Sequence, residues 1–196
     1  MKEQEIETKR LFIYPSVEER DLDIYLAHLC ADKEEFYLQC GELYSEELVQ
    51  AMDFHSTGVI YYSVFLKNTN NLIGNVGIFP SEKSQENGTL EFYIFPEYRR
   101  KGYGKEAVLA MINEFFEGNL RGIKGKIISA ETMDKNKASQ QFLEAIGAKW
   151  ISTGWKQSYD ENGEANLICL YYYEIDSETI KSKGNECGNL FKISVF

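Results

Sequence analysis

Histidine is nearly missing from this chain: His28 and His55 are the only two in 196 residues. An imidazole-based metal centre lacks ligands here, so no metal is expected, and each histidine reads instead as a partly buried helix position. Cysteine is sparse and scattered. Cys30, Cys40, Cys169 and Cys187 form no Cys-x-x-Cys pair, which argues against a zinc site or disulfide framework and for reduced thiols. No apolar run approaches the roughly 18 residues a membrane span requires. The opening Met1-Lys2-Glu3-Gln4-Glu5-Ile6-Glu7 is charged where a signal peptide would be apolar, so a cytoplasmic protein with no membrane partner is expected. Positive charge is short as well. With 21 Lys and Arg against 31 Asp and Glu the formal net charge is -10. Nucleic-acid affinity rests on neutralising phosphates with cations, so such a partner is not expected, and an acidic surface suits a cationic substrate better.

What is present is enough apolar residue, 43%, for one sizeable core. The chain shows no internal repeat and no low-complexity segment. Its organising stretch begins with Thr89-Leu90-Glu91-Phe92-Tyr93-Ile94-Phe95, a strand-like run closed by Pro96. Next comes Glu97-Tyr98-Arg99-Arg100-Lys101-Gly102-Tyr103-Gly104, opening onto an amphipathic helix from Gly104 through Phe116. A helix N-terminus offers unpaired N–H groups and the positive dipole end, and glycines admit close approach of an anion. Arg99, Arg100, Lys101 and Lys105 add cations in an otherwise acidic chain, so the loop reads as a phosphate site. A P-loop is excluded because Arg99 stands at its first glycine and Glu106 follows Gly104-Lys105. Gly102-x-Gly104-x-x-Ala107 also fits a dinucleotide fingerprint, with Glu131 as ribose partner. Against that reading, six residues separate strand from glycine and no further βαβ units follow.

Around this stretch, Arg10–Tyr14 reads as a strand ended by Pro15, and Ser16 with Glu19 forms a capping box. Leu22, Tyr25, Leu26 and Leu29 make one helical stripe, and a second helix starts at Ser45. The section from Ala31 to Tyr44 has no clear period. Tyr61–Lys67 and Leu72–Phe79 form a hairpin across Asn68-Thr69-Asn70-Asn71, and Gly74 and Gly77 permit close approach on its second strand. Ser81 to Gly88 reads as a polar loop. Lys126–Glu131 is a strand, Asn136 to Gly147 a capped helix, and Trp150–Tyr159 with Ala165–Ile175 a closing hairpin. Residues 1–176 are read as one domain and 177–196 as a tail, in which Leu190–Phe196 alternates like one more strand.

Two motifs, in order and with a strand between them, carry a resemblance. Arg99-x-x-Gly102-x-Gly104 after Ile94-Phe95-Pro96-Glu97 resembles the Gln/Arg-x-x-Gly-x-Gly/Ala loop of the GCN5-related N-acetyltransferase superfamily. Asn136-x-x-Ser139 ahead of Leu143 and Gly147 is similar to its second signature. Thr8-Lys9-Arg10-Leu11 and Asn71-Leu72-Ile73-Gly74 further resemble the branch containing ribosomal-protein alanine acetyltransferases. The resemblance implies an α/β (α+β type) fold: a mixed, mostly antiparallel sheet of about seven strands, helices on both faces and a splayed central strand pair. It implies acetyl transfer from acetyl-CoA to the amine of a small molecule or peptide. Gly102, Tyr103 and Gly104 would hold the pyrophosphate, Ile94 and Asn136 would bind the pantetheine arm, and the Phe92 N–H would face the oxyanion. Ser139 would donate to the departing sulfur, and Phe36, Tyr37 and Tyr44 border the acceptor pocket or pack under a loop. Departures from the family pattern are Leu143 where many members carry an acidic Tyr, Thr89 where the alanine branch carries Glu, and Ala148 for Phe. Glu91, two residues along the strand, becomes either the base or a solvated strand residue. The alternative function is a catalytically inactive CoA-binding sensor or scaffold. An oligomer is possible through an edge strand or the tail.

Overall fold

The computed structural model describes residues 5–16, 19–51, 60–81, 84–120, 122, 124–159 and 164–180. The expected strand before Pro15 is β2 (Leu11–Pro15), and a two-residue β1 (Ile6–Glu7) pairs with it, too short to show any alternation in sequence. The Leu22, Tyr25, Leu29 stripe is buried on α1 (Glu19–Cys30). Ser16 points its hydroxyl at Ser63, 2.8 Å away, while residues 17 and 18 of the expected capping box lie outside the described residues.

The aperiodic section contains a helix, α2 (Lys33–Cys40). Asp32 Oδ1 accepts from the N–H groups of Glu34 (2.9 Å) and Glu35 (3.1 Å), and Gly41 at φ +70° ends it. No period is visible because α2 is packed on several sides. Phe36 enters the α1 cluster and Tyr37 packs beside Met133 and Ile168, while Leu38 faces a cleft described below. Ser45 caps α3 (Glu46–Ala51) as expected, its Oγ accepting from the Leu48 N–H at 3.0 Å.

The hairpin is β3 (Ile60–Leu66) and β4 (Leu72–Ser81), and Asn70 takes φ +55° at its turn. At Gly74 a Cβ would lie 2.1 Å from the Tyr93 carbonyl oxygen, so this glycine is there for close approach. The polar loop expected from Ser81 to Gly88 is instead mostly strand: β5 runs Ser84–Ile94 and pairs with β4 through a register shift at Pro80/Ser81. Backbone pairing at the outer end of a hairpin needs no apolar side chains, so polar composition conceals it. After a 3-10 turn (Pro96–Tyr98) come α4 (Tyr103–Glu117), β6 (Ile127–Met133), α5 (Lys137–Ile146) and the hairpin of β7 (Lys149–Tyr159) and β8 (Ala165–Asp176). Residues 177–180 form a helical turn, and the alternating segment Leu190–Phe196 lies outside the described residues.

The sheet has eight strands in the order β1-β2-β3-β4-β5-β6-β8-β7, and only β5 and β6 run parallel. Val76, Ile78 and Leu90 pack on one face with Val108, Met111 and Phe115 of α4. Tyr93 and Phe95 pack on the other with Tyr25, Leu29 and Phe36. Among the described residues no helix is long and apolar enough to cross a membrane.

Candidate active site

The parallel pair is brief. β5 and β6 meet only at Asn87–Ile127, Gly88–Ile128 and Thr89–Ser129, then part, leaving a gap beside the second half of β5. No register shift interrupts β4 and β5 between Gly88 and Ile94, so the parting needs no bulge on that side. Alternate residues of a strand direct their N–H and C=O groups to opposite edges. The Phe95 N–H bonds Ile73 O at 2.9 Å on the β4 side, so Phe92 and Ile94 turn their peptide groups toward the gap.

At the end of β5 the loop turns with two positive φ angles, +61° at Arg100 and +81° at Gly102. The α4 ladder begins with the Glu106 N–H to Gly102 O bond (3.1 Å), so the N–H groups of Tyr103, Gly104 and Lys105 precede it, unpaired within the helix. Thr8 and Arg10 hold this corner. Glu106 accepts from the Thr8 hydroxyl (2.6 Å), the Arg10 N–H (2.8 Å) and Arg10 Nε (2.6 Å), while Arg10 Nη1 donates to Lys101 O at 2.9 Å. The Arg10 guanidinium also lies over the Tyr103 ring, 4.6 Å from its centroid.

The three consecutive cations are not equivalent. Arg99 forks onto Glu35 (3.1 and 2.8 Å) and donates from Nε to Ile94 O at 2.7 Å, so its charge is compensated and it ties β5 to α2. Lys101 donates to Glu97 O at 2.9 Å, lies over the Tyr98 ring and is not on the cleft wall. Arg100 lines the cleft, is exposed and has no ion-pair partner among the described residues. Of the basic residues expected at a phosphate, Arg100 and Lys105 thus line the cleft with charge unspent on an acid among the described residues, and Lys105 donates to Ala145 O at 3.3 Å.

Two cavities meet beside β5. The first, about 440 Å³, runs from the Arg99–Lys105 loop past Ile94 and Phe92 to Asn136 and Ser139. Gly104 helps shape it, because a Cβ there would lie 3.2 Å from Ile94 Cγ1 and 3.6 Å from Phe142 Cε2. Asn136 caps α5, its Oδ1 accepting from the Ser139 N–H (3.0 Å) and its Nδ2 donating to Leu38 O (3.4 Å), which leaves one amide N–H unspent. The second cavity, about 380 Å³, is walled by Tyr25, Tyr61, Phe79, Leu143, Glu91 and Glu131. Phe92, Ser139 and Gln39 line both.

Glu91 stays reachable from solvent through the second cavity, yet enclosure by its walls raises the carboxyl above its ordinary value, and the like charge of Glu131 adds to that. Burial pushes the Cys40 thiol, on the same wall, up to about 12. Tyr25 and Tyr61, both buried and hydrogen-bonded to each other, are raised mainly by desolvation. Thr89 shares the wall and places its Oγ1 3.2 Å from Ser129 Oγ. Of the aromatics suggested for the acceptor pocket, Phe36 and Tyr44 instead pack edge to face at 5.5 Å, and Tyr37 joins the Met133 cluster. The aromatic wall comes from Tyr25, Tyr61 and Phe79, which sequence reasoning placed only as core or strand positions. No sequence signal marks them: Tyr61 aligns with Gly77, and Gly77 with Glu91, only through the strand register.

Residues 10–149 match the family model described as an acetyltransferase (GNAT) domain. A search of curated proteins returns no match. Among solved structures, a GNAT-family acetyltransferase from Bacillus anthracis has a TM-score of 0.68 at 21% identity, covering 89% of this chain and 99% of that one. A GCN5-related N-acetyltransferase from Brucella melitensis has a TM-score of 0.73 at 12% identity, covering 95% and 86%. A probable GNAT-family acetyltransferase from Chromobacterium violaceum has 0.72 at 14%, covering 91% and 89%. At these identities the structures speak to the fold alone, while the family model spans most of the chain. The chain therefore belongs to the GNAT acetyltransferases, enzymes that transfer an acyl group from acetyl-CoA.

Proposed function

We propose that the protein moves an acetyl group from acetyl-CoA to a primary amine by direct attack in a ternary complex, in the cytoplasm. The observation that carries this reading is the pair of cavities joined at Phe92 and Ser139, one opening on the glycine loop and the other on a carboxylate of raised pKa. The N–H groups of Tyr103, Gly104 and Lys105, with Arg100, would hold the pyrophosphate. The Ile94 N–H and the spare Asn136 N–H would hold the pantetheine arm, which pairs with the β5 backbone like an added strand. Bound there, acetyl-CoA supplies an activated acetyl carbon. The Phe92 N–H, directed into the gap, meets the charge that develops on the carbonyl oxygen.

Glu91, directly or through a water, takes the proton that the acceptor ammonium must lose before its nitrogen can attack. The new C–N bond replaces the C–S bond, the proton the nitrogen then sheds ends on the CoA thiolate, and the Ser139 hydroxyl hydrogen-bonds the sulfur as it leaves. Burial that pushes the Cys40 thiol up disfavours the thiolate that an acyl-enzyme on this residue would need. The Thr8–Arg10 segment that resembles the alanine branch anchors the loop through Glu106, so it bears on the donor side and not on the choice of acceptor. A second reading, a CoA-binding module without catalysis, rests on Leu143, which puts a buried apolar side chain where an acid is often found. Release of CoA thiol with a broad panel of amines decides between them: release supports the enzyme, and binding of acetyl-CoA without release supports the module.

A further inference from the structure

The second cavity holds two carboxylates on opposite sides of the gap, Glu91 on β5 and Glu131 on β6. Among the described residues neither makes a hydrogen bond or an ion pair, although Arg99, Lys67, Lys126, Lys149 and Lys156 all pair with acids elsewhere. Lys156, whose charge reaches the Cys40 neighbourhood, is bound to Glu42 at 3.0 Å. Enclosure raises the Glu91 carboxyl, and the like charge of Glu131 across the cavity adds to that. Catalysis as proposed uses Glu91 alone, so Glu131 is left without a role. The rest of the lining is largely apolar or aromatic, with Leu29, Leu90 and Leu143 beside the Tyr25, Tyr61 and Phe79 rings. Such a wall suits an alkyl chain, and ring faces also attract cations. About 380 Å³ is the size of a small-molecule site.

We propose that the acceptor is a small aliphatic diamine or polyamine, held with its reacting nitrogen at Glu91 and a second cationic nitrogen at Glu131. This rests on the acetyltransfer reading for what happens to the reacting nitrogen, but the binding part stands without it. Glu131 acts here as a specificity residue: it neutralises the distal charge and draws the alkyl spacer across the leucine and tyrosine wall.

The test is calorimetric titration of the full chain, saturated with CoA, with 1,4-diaminobutane and with n-butylamine, which share a carbon chain and differ by one charge. The diamine is expected to bind about tenfold more tightly, roughly what one charge-assisted hydrogen bond contributes. In Glu131→Gln, with its fold checked by circular dichroism, that ratio should fall toward one. Equal affinities, tighter butylamine, no diamine binding, or an unchanged ratio in the variant would each overturn the inference. Turnover is measured separately with acetyl-CoA, the two amines and a short peptide bearing a free N-terminus. Diamine binding without thiol release would remove the catalytic reading and leave this inference standing. Better kcat/KM with butylamine or the peptide than with the diamine would do the reverse.

Discussion

At the scale of single residues, Glu91 carries the sharpest expectations. If it is the base, Glu91→Gln should lower kcat by a factor of roughly a hundred or more, the usual contribution of general-base catalysis, while the dissociation constant for acetyl-CoA stays near wild type. Stopped-assay kinetics with calorimetry check this, and equal loss in both would assign Glu91 a structural part. The pH profile gives a second check. A base must be ionised to work, and Glu91 is shifted upward, so activity should fall as pH drops through an apparent pKa above the ordinary carboxylate value. Removing the like charge with Glu131→Gln should move that acid limb to lower pH. Glu91 was legible as a strand acid two residues beyond Thr89, but that it shares a cavity wall with Glu131 follows only from the tertiary structure. Arg99 went the other way. Sequence showed a cation at the start of a phosphate loop, and only the arrival of Glu35 from α2 spends that cation on joining two elements.

At the scale of elements, the loop from Arg99 to Gly104 depends on an anchor far away in the chain. Glu106 accepts three hydrogen bonds from Thr8 and Arg10, and its side chain is 9% exposed. Glu106→Ala should destabilise the fold by roughly 1–3 kcal/mol in urea unfolding, because it takes the acceptor from the buried Thr8 hydroxyl and from two Arg10 donors. The same change should weaken acetyl-CoA binding, since Lys101 and the α4 N-terminus lose their brace. Gly104→Val tests the loop more directly: the added methyls enter the space bounded by Ile94 and Phe142, so CoA affinity, measured on a variant whose fold is checked by circular dichroism, should drop severalfold or more. Helix α2 is the element that sequence periodicity missed. Its anchor, Phe36, is fully buried, and Phe36→Ala should cost about 3–5 kcal/mol by thermal or denaturant unfolding. Helices α1, α4 and α5 were readable because each buries one stripe; α2 divides its apolar residues between two clusters and a cleft and so shows no stripe.

Over the whole molecule, an acidic chain of net charge -10 should draw a cationic acceptor and repel polyanionic acetyl-CoA, so the two substrates answer oppositely to salt. Raising ionic strength should lower kcat/KM for the acceptor while leaving or improving that for acetyl-CoA, and initial-rate kinetics across a salt series measure both. The sequence by itself determined the order of strands and helices around β5, the glycine turn that opens α4, the capped α5 and the resemblance these two motifs carry. All of those rest on residues close together in the chain, where spacing and backbone preference act directly. Tertiary structure alone decided that β5 and β6 part after three rungs, that Arg99 is neutralised while Arg100 is not, and that Tyr25, Tyr61, Phe79, Glu91 and Glu131 enclose one cavity. Those facts depend on residues far apart in the chain, brought together by strand register and by which face of the sheet each helix covers, and neither is written in any single stretch of sequence.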